Sequence, residues 1–115
     1  MWIGYDCIVE TAFPKLVTIK DGVSISIGVM IIGHFREQQG VTIEEDAFIG
    51  PGVIILPETV IGRGAVVTAG SVVTQSVPPF TLVQGNPAKP IAKLTKPLKM
   101  DMSVREFSRG LRPFT

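Results

Sequence analysis

Histidine, cysteine, tryptophan and tyrosine each occur only once in these 115 residues, and each scarcity excludes something. A single cysteine, Cys7, rules out an internal disulfide and fits a reducing, cytoplasmic setting. It reads more readily as a packed side chain than as a reactive thiol. A single histidine, His34, cannot by itself supply the three-histidine set of a catalytic zinc site, so no metal is expected. No apolar run is long: Val23 to Ile32 is interrupted by Ser24, Ser26 and Gly28 and falls short of the roughly 18 residues a membrane span needs. The N-terminus lacks a basic stretch followed by an apolar one, so no export signal is expected. A net charge of +1 gives no electrostatic case for nucleic acid. With 45 % apolar residues, the chain is expected to form a single core.

What the sequence does have is a beat. Ile43, Ile49, Ile55, Ile61, Val67 and Val73 recur every six residues, and four residues after each stands a second, smaller set: Ala47, Val53, Thr59, Ala65, Ser71 and Val77. A helix would place apolar residues three and four apart, and an amphipathic strand would alternate without a longer period. Six residues instead suit a short flat strand that points one branched side chain inward and then turns a corner, where glycine adopts positive φ cheaply. Three such faces close a triangular coil of eighteen residues. Successive coils then stack strand on strand, and the inward Ile and Val columns form a continuous narrow core. The fold class predicted is all-β, a parallel β-solenoid.

Ile3 and Val9 read as two inward faces of their own; Val9 to Ile19 is ten residues rather than a multiple of six, with an irregular corner loop around Phe13-Pro14-Lys15, and Ile19, Ile25 and Ile31 then stand in the phase that Ile43 inherits. The first face starts almost at Met1, so that end of the solenoid is expected to be covered by another chain or to continue into a longer protein. Glu37 stands where an inward apolar residue is due. An unpaired carboxylate in such a core costs several kcal/mol, so His34 to Gly40 is expected to leave the wall as a surface loop. The beat fades after Pro78. Residues 1–92 are read as the solenoid domain and 93–115 as a basic C-terminal extension carrying Lys93, Lys96, Lys99, Arg105, Arg109 and Arg112. Ser103 and Glu106 have capping-box spacing ahead of Phe107 and Leu111, which predicts a short helix over Val104 to Arg109.

The beat, the run Ile61-Gly62-Arg63-Gly64-Ala65-Val66-Val67-Thr68-Ala69-Gly70-Ser71-Val72-Val73-Thr74 and the ending Gly85-Asn86-Pro87-Ala88-Lys89-Pro90 together resemble the hexapeptide-repeat acyltransferases, in the branch that acetylates sugars and related small acceptors. The resemblance covers roughly Val17 to Lys93. It implies a left-handed β-helix, a homotrimer with active sites between adjacent subunits, acetyl-CoA as acyl donor in a groove there, and a loop histidine as general base. Outward apolar residues such as Val29, Met30, Ile32 and Ile54 fit such packing.

The spacing offers a groove of its own. Eighteen residues from His34 comes Gly52, then Gly70, then Ala88, and the adjoining column is Gly33, Pro51, Ala69, Pro87. Both columns stay small, although small residues and proline also populate solenoid corners for structural reasons alone. With the resemblance, the candidate cofactor-binding residues are Gly52, Ala69, Gly70, Ser71, Asn86, Pro87, Ala88 and Lys89, the last suited to CoA phosphates. His34 is the candidate catalytic base: an imidazole is largely neutral near pH 7, and one ring nitrogen can take the proton of an acceptor hydroxyl or amine as it attacks the thioester carbonyl. A backbone N–H near Gly52 is the expected oxyanion donor. The carboxylate that orients His34 is left open, with Glu37 the nearest in sequence.

The chain departs from the family's pattern in having Glu58 rather than glycine after Leu56-Pro57, and in a short N-terminal region where relatives often shape the acceptor pocket. Trp2, Tyr5 and Asp6 are candidates for contact with a sugar, or simply parts of the first coil, and the acceptor stays open. Two rival functions come from other classes. Carbonic anhydrases share the solenoid type but need three histidines at one site, against the one present here. The other rival is a non-catalytic oligomerisation or interaction module, which acetyl-CoA binding would separate from an enzyme.

Overall fold

The computed structural model describes residues 2–10, 14–34, 40–98, 109 and 111–113. The proposed helix over Val104 to Arg109 falls outside these apart from Arg109, as does Glu37.

The chain winds through three parallel stacks. In the first lie β1 (Trp2–Ile3), β4 (Ser24–Ile25), β7 (Phe48–Ile49), β10 (Val66–Val67) and β12 (Thr81–Gly85). The second holds β2 (Ile8–Val9), β5 (Met30–Ile31), β8 (Ile54–Ile55) and β11 (Val72–Val73), and the third β3 (Val17–Ile19), β6 (Val41–Ile43) and β9 (Thr59–Ile61). Neighbours within each stack pair in parallel. The first stack then changes sense: β13 (Ala88–Leu94) turns back antiparallel on β12, and β14 (Leu111–Pro113) adds antiparallel to β13. β13 therefore carries the chain across the expected domain boundary at residue 92 without leaving the sheet.

The inward columns follow the six-residue beat. Ile3, Ile25, Ile49, Val67 and Val83 share one register, Val9, Ile31, Ile55 and Val73 a second, and Ile19, Ile43, Ile61 and Val77 a third. Ile25, Ile43, Ile49, Ile55, Ile61 and Val67 are 0 % exposed. Ile3 is 45 % exposed because its column ends there. Burying each branched side chain contributes about 1.5–3 kcal/mol, and β-branching suits the extended backbone.

The coil length differs from the expected uniform eighteen. Val41 pairs with Thr59 and Phe48 with Val66, eighteen apart. Val17, however, pairs with Val41 and Met30 with Ile54, twenty-four apart, because six extra residues lie between β5 and β6. The lowest coil uses twenty-two, Ile8 with Met30, and the uppermost sixteen, Val66 with Leu82. That shortening by two lifts Val77 out of the smaller set and into the inward column above Ile61.

The outer surfaces are unlike one another. On the first stack, Val66 and Leu82 are buried beneath Ala92 and Leu94, with Phe48, Phe80 and Leu98 packed alongside, so the tail covers this face. The third shows Thr18, Thr42 and Val60. The second carries an apolar column, Ile8, Met30, Ile54 and Val72, with each side chain partly or fully exposed. Val29, expected on an outer face, is 0 % exposed and belongs to the core. It occupies the smaller inward set, one residue before the outward Met30.

Ile55→Ala should therefore cost about 2–5 kcal/mol, since the tight column cannot collapse around the cavity, whereas Val60→Ala, at a position 43 % exposed, should stay within about 0.5 kcal/mol. Urea denaturation of both variants measures the difference.

Candidate functional site

His34 lies at the corner between the second and third stacks, where the six extra residues begin, and is half-buried. Its Nδ1 lies 2.8 Å from Oε1 of Glu10, and the same oxygen accepts the Gly33 N–H at 2.8 Å. Glu10 is only 6 % exposed. It directly follows the inward Val9, and its N–H donates to the Ile31 carbonyl, so its backbone is fixed by the second stack. Gly33 leaves room for the carboxylate: a Cβ there would stand 3.1 Å from Glu10 Cγ and 3.3 Å from Leu16 Cβ. The loop is pinned at its far end by Gly40, whose N–H donates to the Gly33 carbonyl at 2.8 Å. A buried carboxylate is tolerated only where donors meet it, and here a backbone amide and an imidazole do so.

Glu10 is the residue that sequence reasoning missed. It contacts His34 across 24 positions, from the coil below. The available signal was a carboxylate beside an inward valine, a position that demands a partner.

The eighteen-residue count from His34 to Gly52 does not describe neighbours in space. Ile31 pairs with Ile55, twenty-four apart, and the residue that meets Glu58 (φ 65°) from the coil below is Gly40, whose carbonyl accepts the Glu58 N–H. Gly52 belongs instead to the opposite corner, between the first and second stacks, where its N–H donates to the Ile27 carbonyl and that of Gly70 to the Pro51 carbonyl. The Gly52 amide is thus engaged in the ladder and does not serve as the expected oxyanion donor. Gly52 and Gly70 have φ of 71° and 72°, and a Cβ on either would project into open space. Glycine is therefore set at these two positions by the positive φ of the turn and not by a neighbour within the chain. Ala88 does not continue this column either, because the chain has reversed and Ala88 pairs with Gly85.

The ending of the motif nonetheless reaches that corner. Ser71 is 1 % exposed, its hydroxyl hydrogen-bonds Thr68 Oγ1 at 3.0 Å and accepts the Gly85 N–H at 3.1 Å. This bond sets the hairpin tip, with exposed Asn86 and Pro87, beside exposed Ala69 and Gly70. Lys89 is exposed on the returning strand, paired with Gln84. Gly52, Ala69, Gly70, Asn86 and Pro87 thus line one corner, while His34 and Glu10 lie at the next. Five residues of extended chain from Gly28 to Gly33 separate the two corners, about 16 Å at the usual strand rise.

A larger cleft, about 540 Å³, opens at the remaining corner between Glu44, Glu45, Val60, Arg63 and Ser76 to Pro79. The Glu45 carboxyl is held below its ordinary range, first by a hydrogen bond to its own backbone and less by Lys20 and Arg63. This cleft has no imidazole, so size alone does not make it the reaction site. Among the described residues, no three His, Cys, Asp or Glu side chains group as a metal site.

Residues 40–75 match the bacterial transferase hexapeptide family, six repeats. A 2,3,4,5-tetrahydropyridine-2,6-dicarboxylate N-acetyltransferase of Staphylococcus aureus is 37 % identical over 81 residues, which cover 69 % of this chain and 34 % of that protein. Among solved structures, the polySia-specific acetyltransferase NeuO shares the fold with a TM-score of 0.76 at 24 % identity, over 89 % of this chain and 53 % of its own. A galactoside acetyltransferase in complex with coenzyme A gives a TM-score of 0.63 at 32 % identity, over 67 % of this chain and 44 % of its own. The chain belongs to the hexapeptide-repeat acyltransferase family, and its solenoid is a left-handed parallel β-helix. It spans about a third of the length of the Staphylococcus aureus relative.

Glu10→Ala should destabilise the fold by about 1–3 kcal/mol by stripping a buried amide and an imidazole of their acceptor. Glu10→Gln, which retains an oxygen acceptor, should lose less. Thermal and urea unfolding of the pair measures the order, and equal losses would show that the negative charge, rather than the filled volume or a single oxygen acceptor, is what this position needs.

Proposed function

We propose that this chain forms the catalytic β-helix of an acetyltransferase that moves an acetyl group from acetyl-CoA to a hydroxyl or amine of a small acceptor such as a sugar. The observation that carries the reading is the Glu10–His34 pair at the one corner where the repeat is interrupted. The S. aureus N-acetyltransferase and the CoA-bound galactoside acetyltransferase support the donor and the reaction class.

With Nδ1–H directed at Glu10, the base is Nε2. It takes the acceptor's proton as the acceptor oxygen or nitrogen bonds to the thioester carbonyl carbon, and the imidazolium so formed becomes an ion pair with Glu10. The tetrahedral intermediate collapses by breaking its C–S bond, and the imidazolium returns the proton to the leaving CoA sulfur. No covalent enzyme intermediate is needed.

One chain holds only half of this arrangement, because the small-residue corner and the histidine corner flank opposite edges of the second stack. The apolar column Ile8, Met30, Ile54 and Val72 lies between them. Packing three copies around it sets the His34 corner of one against the Gly52 and Gly70 corner of the next, which supports a homotrimer with acetyl-CoA held at each seam by Gly52, Ala69, Gly70, Ser71, Asn86, Pro87, Ala88 and Lys89. Of these, Ser71 contributes indirectly, its hydroxyl, amide and carbonyl all being hydrogen-bonded within the chain, by holding the hairpin tip beside Gly70.

His34→Ala should lower turnover by about a hundredfold to ten-thousandfold while acetyl-CoA still binds by calorimetry. Near-wild-type turnover would remove the proposed base, and failure of the wild type to bind acetyl-CoA would favour a scaffold instead. Co-expression of His34→Ala with Gly70→Trp should recover activity that neither variant has alone, since some seams then unite two intact corners. No recovery would confine the site to one chain. Lys89→Ala should raise the apparent KM for acetyl-CoA with little change in kcat, because a remote phosphate is bound nearly equally in ground and transition states. An unchanged KM would reassign the phosphate contact.

A further inference from the structure

Two hydroxyls tie the hairpin to the coil beneath it. β12 rises along the first stack, β13 returns, and Asn86 and Pro87 stand exposed at the tip between them. The Gly85 N–H, on the last residue of β12, donates to Ser71 Oγ at 3.1 Å, and that oxygen lies 3.0 Å from Thr68 Oγ1. An amide N–H can only donate, so Ser71 Oγ is the acceptor there and its own proton is available to Thr68 Oγ1. Thr68 also meets the hairpin through its backbone, its N–H donating to the Val83 carbonyl at 3.1 Å. Gly85 has φ of 106°, so the chain swings at this residue, and the bond to its amide sets the direction in which the tip leaves β12.

The tip is far from the proposed base along the solenoid axis. His34 follows β5, in the coil that begins with β4, and β7, β10 and β12 are the three rungs above β4. At about 4.8 Å a rung, the tip lies about 14 Å above that coil. Copies packed about an axis along the solenoid keep their rungs level, so a thioester at His34 of one copy sets the far end of the donor, its nucleotide, against the tip of the next.

We infer, resting on the acyl-transfer reading, that Thr68 and Ser71 are positioning residues for the acyl donor. Their paired hydroxyls hold Gly85, and with it Asn86 and Pro87, in place, and the tip so fixed favours a donor bearing the nucleotide of coenzyme A over one that ends at the pantetheine arm. Neither hydroxyl touches the donor; each acts through the Gly85 amide.

The test compares acetyl-CoA with acetyl-pantetheine, using one acceptor found by screening small hydroxyl and amine compounds, in wild type, Ser71→Ala, Thr68→Val and Thr68→Ser. Both hydroxyl deletions should raise the KM for acetyl-CoA by about twofold to tenfold, the worth of one hydrogen bond, while kcat and the KM for acetyl-pantetheine stay unchanged. Thr68→Ser, which keeps the hydroxyl, should retain the wild-type ratio of the two donors, and the double deletion should be no worse than Ser71→Ala because the two side chains act through one bond. A general loosening of the fold would instead move both donors alike or lower kcat, and that result overturns the inference, as does a donor ratio that neither deletion changes. Thr68→Val leaves Ser71 able to accept the Gly85 amide, so it decides the matter if Ser71→Ala does not fold; loss of folding in both shows the hydroxyls to be structural and also overturns the inference. A wild type that uses the two donors equally overturns it while leaving acyl transfer standing. One that transfers acetyl from neither donor to any compound overturns the underlying reading as well.

Discussion

Everything in this molecule depends on three columns of branched side chains kept in register by the parallel backbone ladder. An isolated coil would expose its isoleucines to water on both sides and would pair neither edge of its strands. Only stacking satisfies both needs at once, so the hydrophobic term and the hydrogen-bond term favour the same alignment. Ser26 N–H to Ile49 carbonyl, Gly50 N–H to Val67 carbonyl and Thr68 N–H to Val83 carbonyl repeat one bond from coil to coil. A slip by one residue would turn Ile49 outward and Phe48 inward together, a penalty large enough to fix the pairing.

That rigidity positions the candidate site. Glu10 is held by the second stack, and its carboxylate reaches into the coil above to meet both the Gly33 amide and the His34 ring. The loop that leaves the wall at His34 thus starts from a fixed point and returns to one through Gly40. A base on a loop gains the precision of the sheet when a buried acceptor beneath it selects the ring's tautomer and direction.

The fold was legible because its signal is redundant: each inward position is read in the context of five or six others at the same spacing, and Ile25, Ile31, Ile43 and Ile55 all fall where the beat puts them. Contacts between coils were less legible. The gap from Ile31 to Ile43 is twelve residues, a multiple of the beat, so an insertion of six preserves the phase and hides the change in coil length. Counting from His34 to Gly52 then joined two different corners. Val29 reads as outward in sequence for a related reason, since the smaller inward set and the outward set are adjacent in sequence and both apolar. Glu10 escaped because its partner sits one long coil away, and the polarity that marks it resembles that of any corner residue.

The reversal at β13 has a consequence for how long such a stack can grow. A parallel ladder offers at its last strand the same donors and acceptors that received every strand before it, and it contains no instruction to stop. β12 meets instead a strand running the other way, and β14 doubles that layer, so the next surface is no longer a copy of the one beneath. On this face a further coil, from this chain or from a stranger, finds the wrong polarity and a strand interrupted by Pro90, which has no amide hydrogen to give. Length is thereby written into the polarity of one hairpin.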